Sequence, residues 1–414
     1  MAKRPEGSDC RKRLAPGLGA GVRFVSTWLL LTVLLALASS CNVPGSVRPT
    51  LKIGLVAPFE GRYRYVGYEV VYGVRLALRE ANEAGGVAGY GVELAAYDDQ
   101  GNPAFAADQA RKLDVDPQVL AALGHFRYET TAAALEAYSR AGLPLVAHVG
   151  LDGGLSRGLG TEASVYPIGP DASELAEALL ATAVQLSTVG DALLVTQGGP
   201  LGEAIQSAAL EQSLSLQTVS AQHEGWQGQV LAEYPEVLLC DLHPVAAGEV
   251  VALLGEGAWR GNVLGGPSLA ASDFSAVAGS YAKGVTFVTA WPFPQHVQDA
   301  EEFLSAYREV SNGVEPGLLA LPAYEATWLL LEALNDAAQN GPPTRERMAA
   351  ALSTAERMGL LGRIATGASD HQTARLYWYR IDSEGAPALI GAEAAAQAPL
   401  AHRIAMSVEL PSRR

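Results

Sequence analysis

From residue 51 onward the chain alternates short apolar runs with longer stretches whose apolar positions recur every three or four residues. Short continuous runs suit strands buried on both faces, and the longer pattern suits helices that bury one stripe. Their alternation predicts βα units on parallel sheets. Lys52-Ile53-Gly54-Leu55-Val56 reads as a strand. Val71, Val74, Leu76, Ala77, Leu78 and Ala81 give residues 72–84 an apolar helical face, which Gly85-Gly86 ends. Residues 92–97 form the next strand. The segment Asp98-Asp99-Gln100-Gly101-Asn102-Pro103 then predicts a turn and a helix start, with Asn102 as N-cap and Pro103 at the first helical position. Residues 119–123 and 144–147 are further strands, separated by a helix over about 131–140.

The pattern restarts after Asp171. A helix over 173–186 leads to a strand at 192–195, and strands near 216–221, 236–240 and 262–264 follow with helices between them. Beyond Trp291-Pro292-Phe293-Pro294 the chain turns helical over 299–310, 319–338 and 344–353, then ends on a strand-like 376–381. The restart predicts a second lobe of the same architecture. The late helices must pack on one of the two sheets. A return to the first would make the chain cross between lobes several times, which builds a hinge.

The first forty residues follow a different pattern. A basic opening (Lys3, Arg4, Arg11, Lys12, Arg13, Arg23) precedes an apolar run from Phe24 that closes on Ala38-Ser39-Ser40-Cys41. A basic region, an apolar core and small residues before the cut describe a secretory signal peptide over 1–40. The apolar run is about fifteen residues, short of the roughly 20 that a spanning helix needs. Cys41 directly after the small residues resembles the bacterial lipobox, in which the thiol is acylated and becomes the mature N-terminus. Ala38 departs from the leucine more usual there, and ordinary cleavage near Ser40 is the alternative. Residues 41–50 are then a tether, and two or three acyl chains are needed for a firm anchor.

No later apolar stretch reaches membrane length. The leader carries six basic and two acidic side chains, so removing its +4 from the chain's −15 leaves a body at −19. That charge opposes nucleic acid or an anionic membrane surface as partner, because both need a basic face. Of three cysteines, Cys10 leaves with the leader, Cys41 is used at the anchor, and Cys240 stands alone in the apolar Val237-Leu238-Leu239-Cys240. A disulfide inside the body is therefore not expected, nor a cysteine metal site. The length of the body predicts two domains.

Residues 51–150 resemble the type I periplasmic binding proteins, in particular the branched-chain amino-acid (leucine-binding-like) receptor group of ABC importers. The resemblance is carried by Ile53-Gly54-Leu55 with Pro58 and Gly61, by Gly73 with Leu76-Ala77 and Ala81-Asn82, and by Gly85-Gly86-Val87-Ala88-Gly89. Tyr97 to Pro103, Ala110-Arg111-Lys112-Leu113, Gly124-His125 and Ala141-Gly142-Leu143-Pro144 continue it, and Ala323-Tyr324-Glu325-Ala326 looks like the family's return to the first lobe. The resemblance covers nearly all of 51–382, more loosely in the second half. It implies an α/β fold of two Rossmann-like lobes with parallel sheets joined by a multi-strand hinge. The boundaries expected are 51–170 plus 296–370 for lobe 1, 171–295 plus 371–395 for lobe 2, and a tail over 396–414. It implies a monomeric solute receptor of the cell envelope, with ABC permease subunits as partners, no cofactor and no catalysis. A sensory lipoprotein of the same fold, not coupled to transport, is the alternative.

In open α/β sheets ligands sit at the carboxyl ends of strands, near helix N-termini. Loops 58–67, 124–131 and 148–154 qualify on that ground. In the family the second and third hold an amino acid's carboxylate and ammonium through hydroxyls and backbone amides, but here Phe126-Arg127-Tyr128-Glu129 and His148-Val149-Gly150-Leu151 replace the serine-rich pattern. Arg127 suits a carboxylate or phosphate and Glu129 an amine, or the two pair with each other. Phe59, Tyr63 and Tyr65 either cover a ligand or cover apolar surface. On the second lobe Pro200 and Leu201 lie in a glycine-rich turn that lacks the Gly-Lys-Ser/Thr of a P-loop and either lets the backbone approach a ligand or simply turns tightly; Ser268 and Trp291 are the other candidates to face the cleft. His125 and His148 lack the cluster of ligands that a metal needs, and His125 is expected to serve as a structural hydrogen-bonding residue. Asp98-Asp99 reads as turn and capping chemistry. HExxH does not occur.

Overall fold

The computed structural model describes residues 48–148, 165–169, 172–187, 192–366 and 375–394. The expected leader, Cys41, the tail, and the candidate residues Val149 and Leu151 lie outside the described residues.

The first sheet is all parallel. It takes β1 (Thr50–Ala57), β2 (Gly91–Asp98), β3 (Val119–Gly124), β4 (Leu145–Ala147) and β5 (Val165–Pro167) in the order β2-β1-β3-β4-β5. Helix α1 (Arg64–Glu83) lies on one face, and α2 (Pro103–Val115) and α3 (Tyr128–Ala141) pack together on the other. Local chemistry sets the ends. Asn102 caps α2 by accepting from the Ala104 amide at 2.9 Å, with Pro103 behind it. Gly142, at φ 55°, ends α3 in the left-handed conformation that glycine adopts without strain.

The second sheet holds seven strands. Five are parallel: β6 (Ala192–Thr196), β7 (Gln217–Ser220), β8 (Val237–Asp241), β9 (Asn262–Gly265) and β10 (Thr286–Thr289). β13 (Arg375–Ile381) and β14 (Pro387–Ala394) add an antiparallel edge, giving β14-β13-β10-β9-β8-β6-β7. Alternate residues serve opposite cores: Leu193, Val195, Leu238 and Cys240 face one, Leu194 and Leu239 the other. Its crossover helices are α4 (Ala172–Leu186), α5 (Pro200–Glu211), α6 (Trp226–Glu233), α7 (Pro244–Glu256) and α8 (Ser272–Ala278).

After β10 the chain forms α9 (Glu301–Val310), α10 (Ala320–Ala338) and α11 (Arg345–Leu352), then the hairpin β11 (Glu356–Gly359) and β12 (Gly362–Ala365). Ala323, Ala326, Leu329, Leu330 and Leu334 of α10 share one core with Val70, Val74 and Ala77 of α1 and with Ile53 and Leu55 of β1. The late helices therefore cover the first sheet. Their approach is close: a Cβ on Gly73 of α1 would lie 2.3 Å from the carbonyl oxygen of Ala320. The hairpin is tied down by Glu325, buried at 1% exposure, which accepts from Arg357 Nε at 2.7 Å and from the Leu360 amide at 2.8 Å.

Two expectations shift. Helix α1 begins at Arg64, eight residues before the apolar face suggested, so residues 64–67 are helix and not loop. Val66 and Val70 extend its stripe, but Tyr65, Tyr68 and Glu69 between them hide the period. β5, β10 and the β11–β12 hairpin were not foreseen, because three or four residues show too little alternation to separate from a loop, and the eight-residue β14 was not foreseen either.

Gly73→Ala gains up to about 1 kcal/mol of helix propensity but forces two helix backbones apart, which costs about 1–3 kcal/mol. A net loss is expected, read as a lower unfolding temperature; an unchanged one would show that the helices separate freely. Arg357→Ala strands the Glu325 carboxylate and is expected to lower unfolding free energy by about 3 kcal/mol, the low end for breaking a buried pair because the guanidinium is partly in solvent. Denaturant titration measures it.

Candidate functional site

The strand ends that carry the candidate residues converge. Tyr63 and Tyr65 follow β1, Phe126, Arg127 and Tyr128 follow β3, and His148 follows β4. From the second sheet come Pro200 and Leu201 after β6, Ser268 after β9 and Trp291 after β10. All ten line one cavity of about 610 Å³. Two candidates do not line it. Phe59 packs edge-on against Tyr68, with ring centroids 6.5 Å apart, and Glu129 is turned toward Arg127.

Tyr63 is the centre of a stack. The Arg127 guanidinium carbon lies 3.5 Å from its ring centroid, and the His243 ring meets it edge-on at 5.0 Å. Arg127 Nη2 donates to Glu129 at 3.0 Å, so the pairing of these two residues is what the structure shows. His243 precedes α7. Its Nδ1 accepts from the Val245 amide at 3.3 Å, which leaves Nε2–H to donate to the Arg62 carbonyl at 3.0 Å. That tautomer is the neutral one, consistent with burial lowering the His243 pKa.

His148 is 5% exposed and sits between Phe126 and Trp291, at centroid distances of 5.2 and 6.0 Å. Burial pushes its pKa down to about 4, so it is neutral at pH 7. His148 Nε2, Trp291 Nε1 and Arg127 Nε are buried without a hydrogen-bond partner among the described residues.

Glu69 was missed by sequence reasoning. It lines the cavity one turn of α1 beyond Tyr65, and one of its carboxylate oxygens accepts from the Leu319 amide at 3.1 Å. Burial raises its pKa to about 7. Its surroundings are aromatic and aliphatic (Tyr65, Val66, Leu318 and Leu319 line the same wall). The signal available was its spacing from Tyr65, which only a helix start at residue 64 makes visible. Also unforeseen is the face of α5 that continues from Leu201 through Ala204 and Ser207 to Glu211.

Around the cavity, polar groups are already committed. His125 Nδ1 and Asp99 Oδ2 are 2.7 Å apart and both fully buried, with the Tyr138 hydroxyl 3.3 Å from Nε2; this network fixes the start of the 125–127 loop. Asp98 accepts from the amides of Phe59 and Gln100, as turn chemistry requires. Asp241 takes the Thr196 hydroxyl at 2.6 Å and the Gly202 amide at 3.1 Å, so a carboxylate of the protein itself stands at the N-terminus of α5. Among the described residues no cluster of His, Cys, Asp and Glu could hold a metal ion, and no helix is long and apolar enough to cross a membrane.

Comparison with known proteins bears on this arrangement. The Leu/Ile/Val-binding protein homolog 1 of Brucella melitensis is 24% identical over 332 residues, covering 74% of this chain and 84% of the relative. The solved branched-chain amino acid transporter substrate binding protein of Streptococcus pneumoniae, in complex with isoleucine, superposes with a TM-score of 0.70 at 21% identity, over 83% of this chain and 99% of its own. An ABC transporter solute binding protein of R. palustris in complex with benzoate gives 0.68 at 16% identity, over 85% and 98%. These relatives are binding proteins, not enzymes. The profile of the family described as periplasmic binding protein matches residues 50–224 and 229–386, which is most of the chain and every described strand but the last. With the two-sheet fold and the cavity at its strand ends, that match shows that this chain belongs to the periplasmic binding protein family, whose place is outside the cytoplasm.

Proposed function

We propose that the protein is an exported receptor that closes over a small organic solute, an amino acid or analogue, and presents it to the permease of an ABC importer. The observation that carries this reading is the cavity itself, walled by strand-end residues of both sheets. A solute touching both walls is held best when they meet, so binding favours the closed form. In this reading residues 51–170 with 296–370 form one lobe and 171–295 with 371–395 the other. The relatives named for leucine, isoleucine and valine support an amino acid, and the benzoate complex supports a wider range of small organic acids or analogues. Because the fold holds no spanning helix among the described residues, Cys41 in its lipobox-like setting supplies the proposed anchor, on a mature chain acting as a monomer.

A thermal-shift screen of the protein against amino acids, amides, organic acids, amines and nucleosides tests the reading. A solute at a hundredfold over its Kd adds about 2.7 kcal/mol of stability, a shift of about 2–4 °C or more for a chain of this size. A transition unmoved by every class would sink the proposal. For a solute that registers, Trp291→Ala is expected to weaken binding tenfold or more.

Cys41→Ser is expected to move the protein from the membrane fraction to the soluble one and to abolish incorporation of labelled fatty acid. Retention in the membrane fraction would remove the anchor.

A further inference from the structure

We propose that the solute this cavity takes is an organic cation, an ammonium or quaternary ammonium group on an apolar or aromatic body. The inference rests on the receptor reading above and names its substrate class.

The walls are the first argument. Tyr63, Tyr65, Phe126, Tyr128 and Trp291 present five aromatic side chains to one space. Aromatic faces attract cations, more so when both are withdrawn from water. Arg127 already shows this within the protein, at 3.5 Å on the ring of Tyr63.

The balance of charge is the second. Among the described residues Arg127 is the one Lys or Arg on the cavity wall, and Glu129 pairs with it. Against it stand Glu69, Glu177, Glu203 and Glu211. The Glu69 carboxylate makes no ion pair among the described residues, and the hydrogen bond it accepts there comes from the Leu319 amide. Burial raises its pKa to about 7, so a carboxyl in that position is partly protonated near neutral pH and a positive charge beside it favours the ionised form. Glu177, Glu203 and Glu211 are exposed, so they form the outer part of the site. They belong to a sequence with no relief: residues 158–259 contain thirteen Asp and Glu and not one Lys or Arg. A lobe of that charge concentrates cations at its surface and repels anions.

The third argument is what a carboxylate would lack. The N-terminus of α5, a ready anion site in such folds, is occupied by Asp241. The hydroxyls of Thr130 and Thr131 donate to backbone carbonyls at 3.0 and 2.7 Å, and that of Thr289 to the Trp291 carbonyl at 2.7 Å. His148, neutral in its apolar setting, adds no positive charge. These hydroxyls and this helix N-terminus, which could grip the acid half of an amino acid, are committed within the protein, and the buried donors left over are Trp291 Nε1 and Arg127 Nε.

The test uses the full chain and five probes that share a phenyl body: phenethylamine, benzyltrimethylammonium, 2-phenylethanol, 3-phenylpropionate and phenylalanine, followed by titration calorimetry at pH 7. At least one of the two cations should bind tenfold or more tighter than the neutral alcohol, and the anion should not bind. Binding of the amine displaces the proton that Glu69 holds when its pKa is raised by burial, so a fraction of a proton should be released near pH 7. Affinity should then rise between pH 6 and pH 8. Glu69→Gln should remove the proton release and cut amine affinity tenfold while leaving the alcohol within twofold; the proton count on the unaltered chain stands even if that variant folds poorly. Tighter binding of the anion, the zwitterion or the alcohol than of either cation overturns the cation class and leaves the receptor reading in place. A chain that binds none of the probes overturns the cation class, and silence across the wider solute screen as well overturns the receptor reading too.

Discussion

The return of the chain to its first sheet is the constraint on which the rest of the structure depends. Helix α10 buries thirteen of its nineteen residues, so it has apolar surface on nearly every side and is stable only when enclosed. The enclosure it finds is α1 and the first sheet, which the chain left more than a hundred residues earlier. Gly73 lets the two helices meet at backbone distance. Because α10 belongs to the first sheet while β13 and β14 belong to the second, the chain passes between the sheets three times. Three connections restrict relative movement to opening and closing far better than one linker would.

That organisation was legible in the sequence to the extent that burial is periodic. Runs such as Val237-Leu238-Leu239-Cys240 are buried on both faces and could be read as parallel strands without further help. Asn102 and Pro103 marked a helix start because capping is local chemistry. What could not be read depends on partners far away in sequence. Thr286–Thr289 is a strand because β9 and β13 flank it, not because four residues declare it. Glu69 sits in the site because α1 begins early and Leu319 arrives from residues 250 positions on. Arg127 and Glu129 were visible as an unusual pair, yet only the fold shows that one lines the cavity and the other neutralises it.

The electrostatics of the site follow from the same principle, that a buried charge is stable only when it is matched. Arg127, Asp99 and Asp241 each have a partner at hydrogen-bond distance, and each such pairing fixes a loop that shapes the cavity. The unmatched groups remain at the wall. Glu69 answers its burial by holding a proton, and His148 by losing one. Both responses lower the charge of an empty site, so the cost of leaving it empty is small and a ligand of the right charge has something to gain.

Tyr63 joins these threads. One side chain forms part of the cavity wall, carries the Arg127 cation on its face and meets the edge of His243, which reaches from the start of α7 to the Arg62 carbonyl beside Tyr63. The hydrogen bond from His243 Nε2 joins an element of the second sheet to the loop after β1, and it needs the neutral ring, because Nδ1 must stay free to accept from Val245. Protonation would place a hydrogen against that amide and a positive charge near Arg62 and Arg127, so burial first, and then these two cations, hold the His243 pKa down. The cavity wall and the contact between the two sheets thus meet at the neighbouring residues Tyr63 and Arg62. In the proposed receptor a solute pressing on the Tyr63 ring would act on the residue next to that joint, and no longer path through the protein would be needed to couple occupancy to closure.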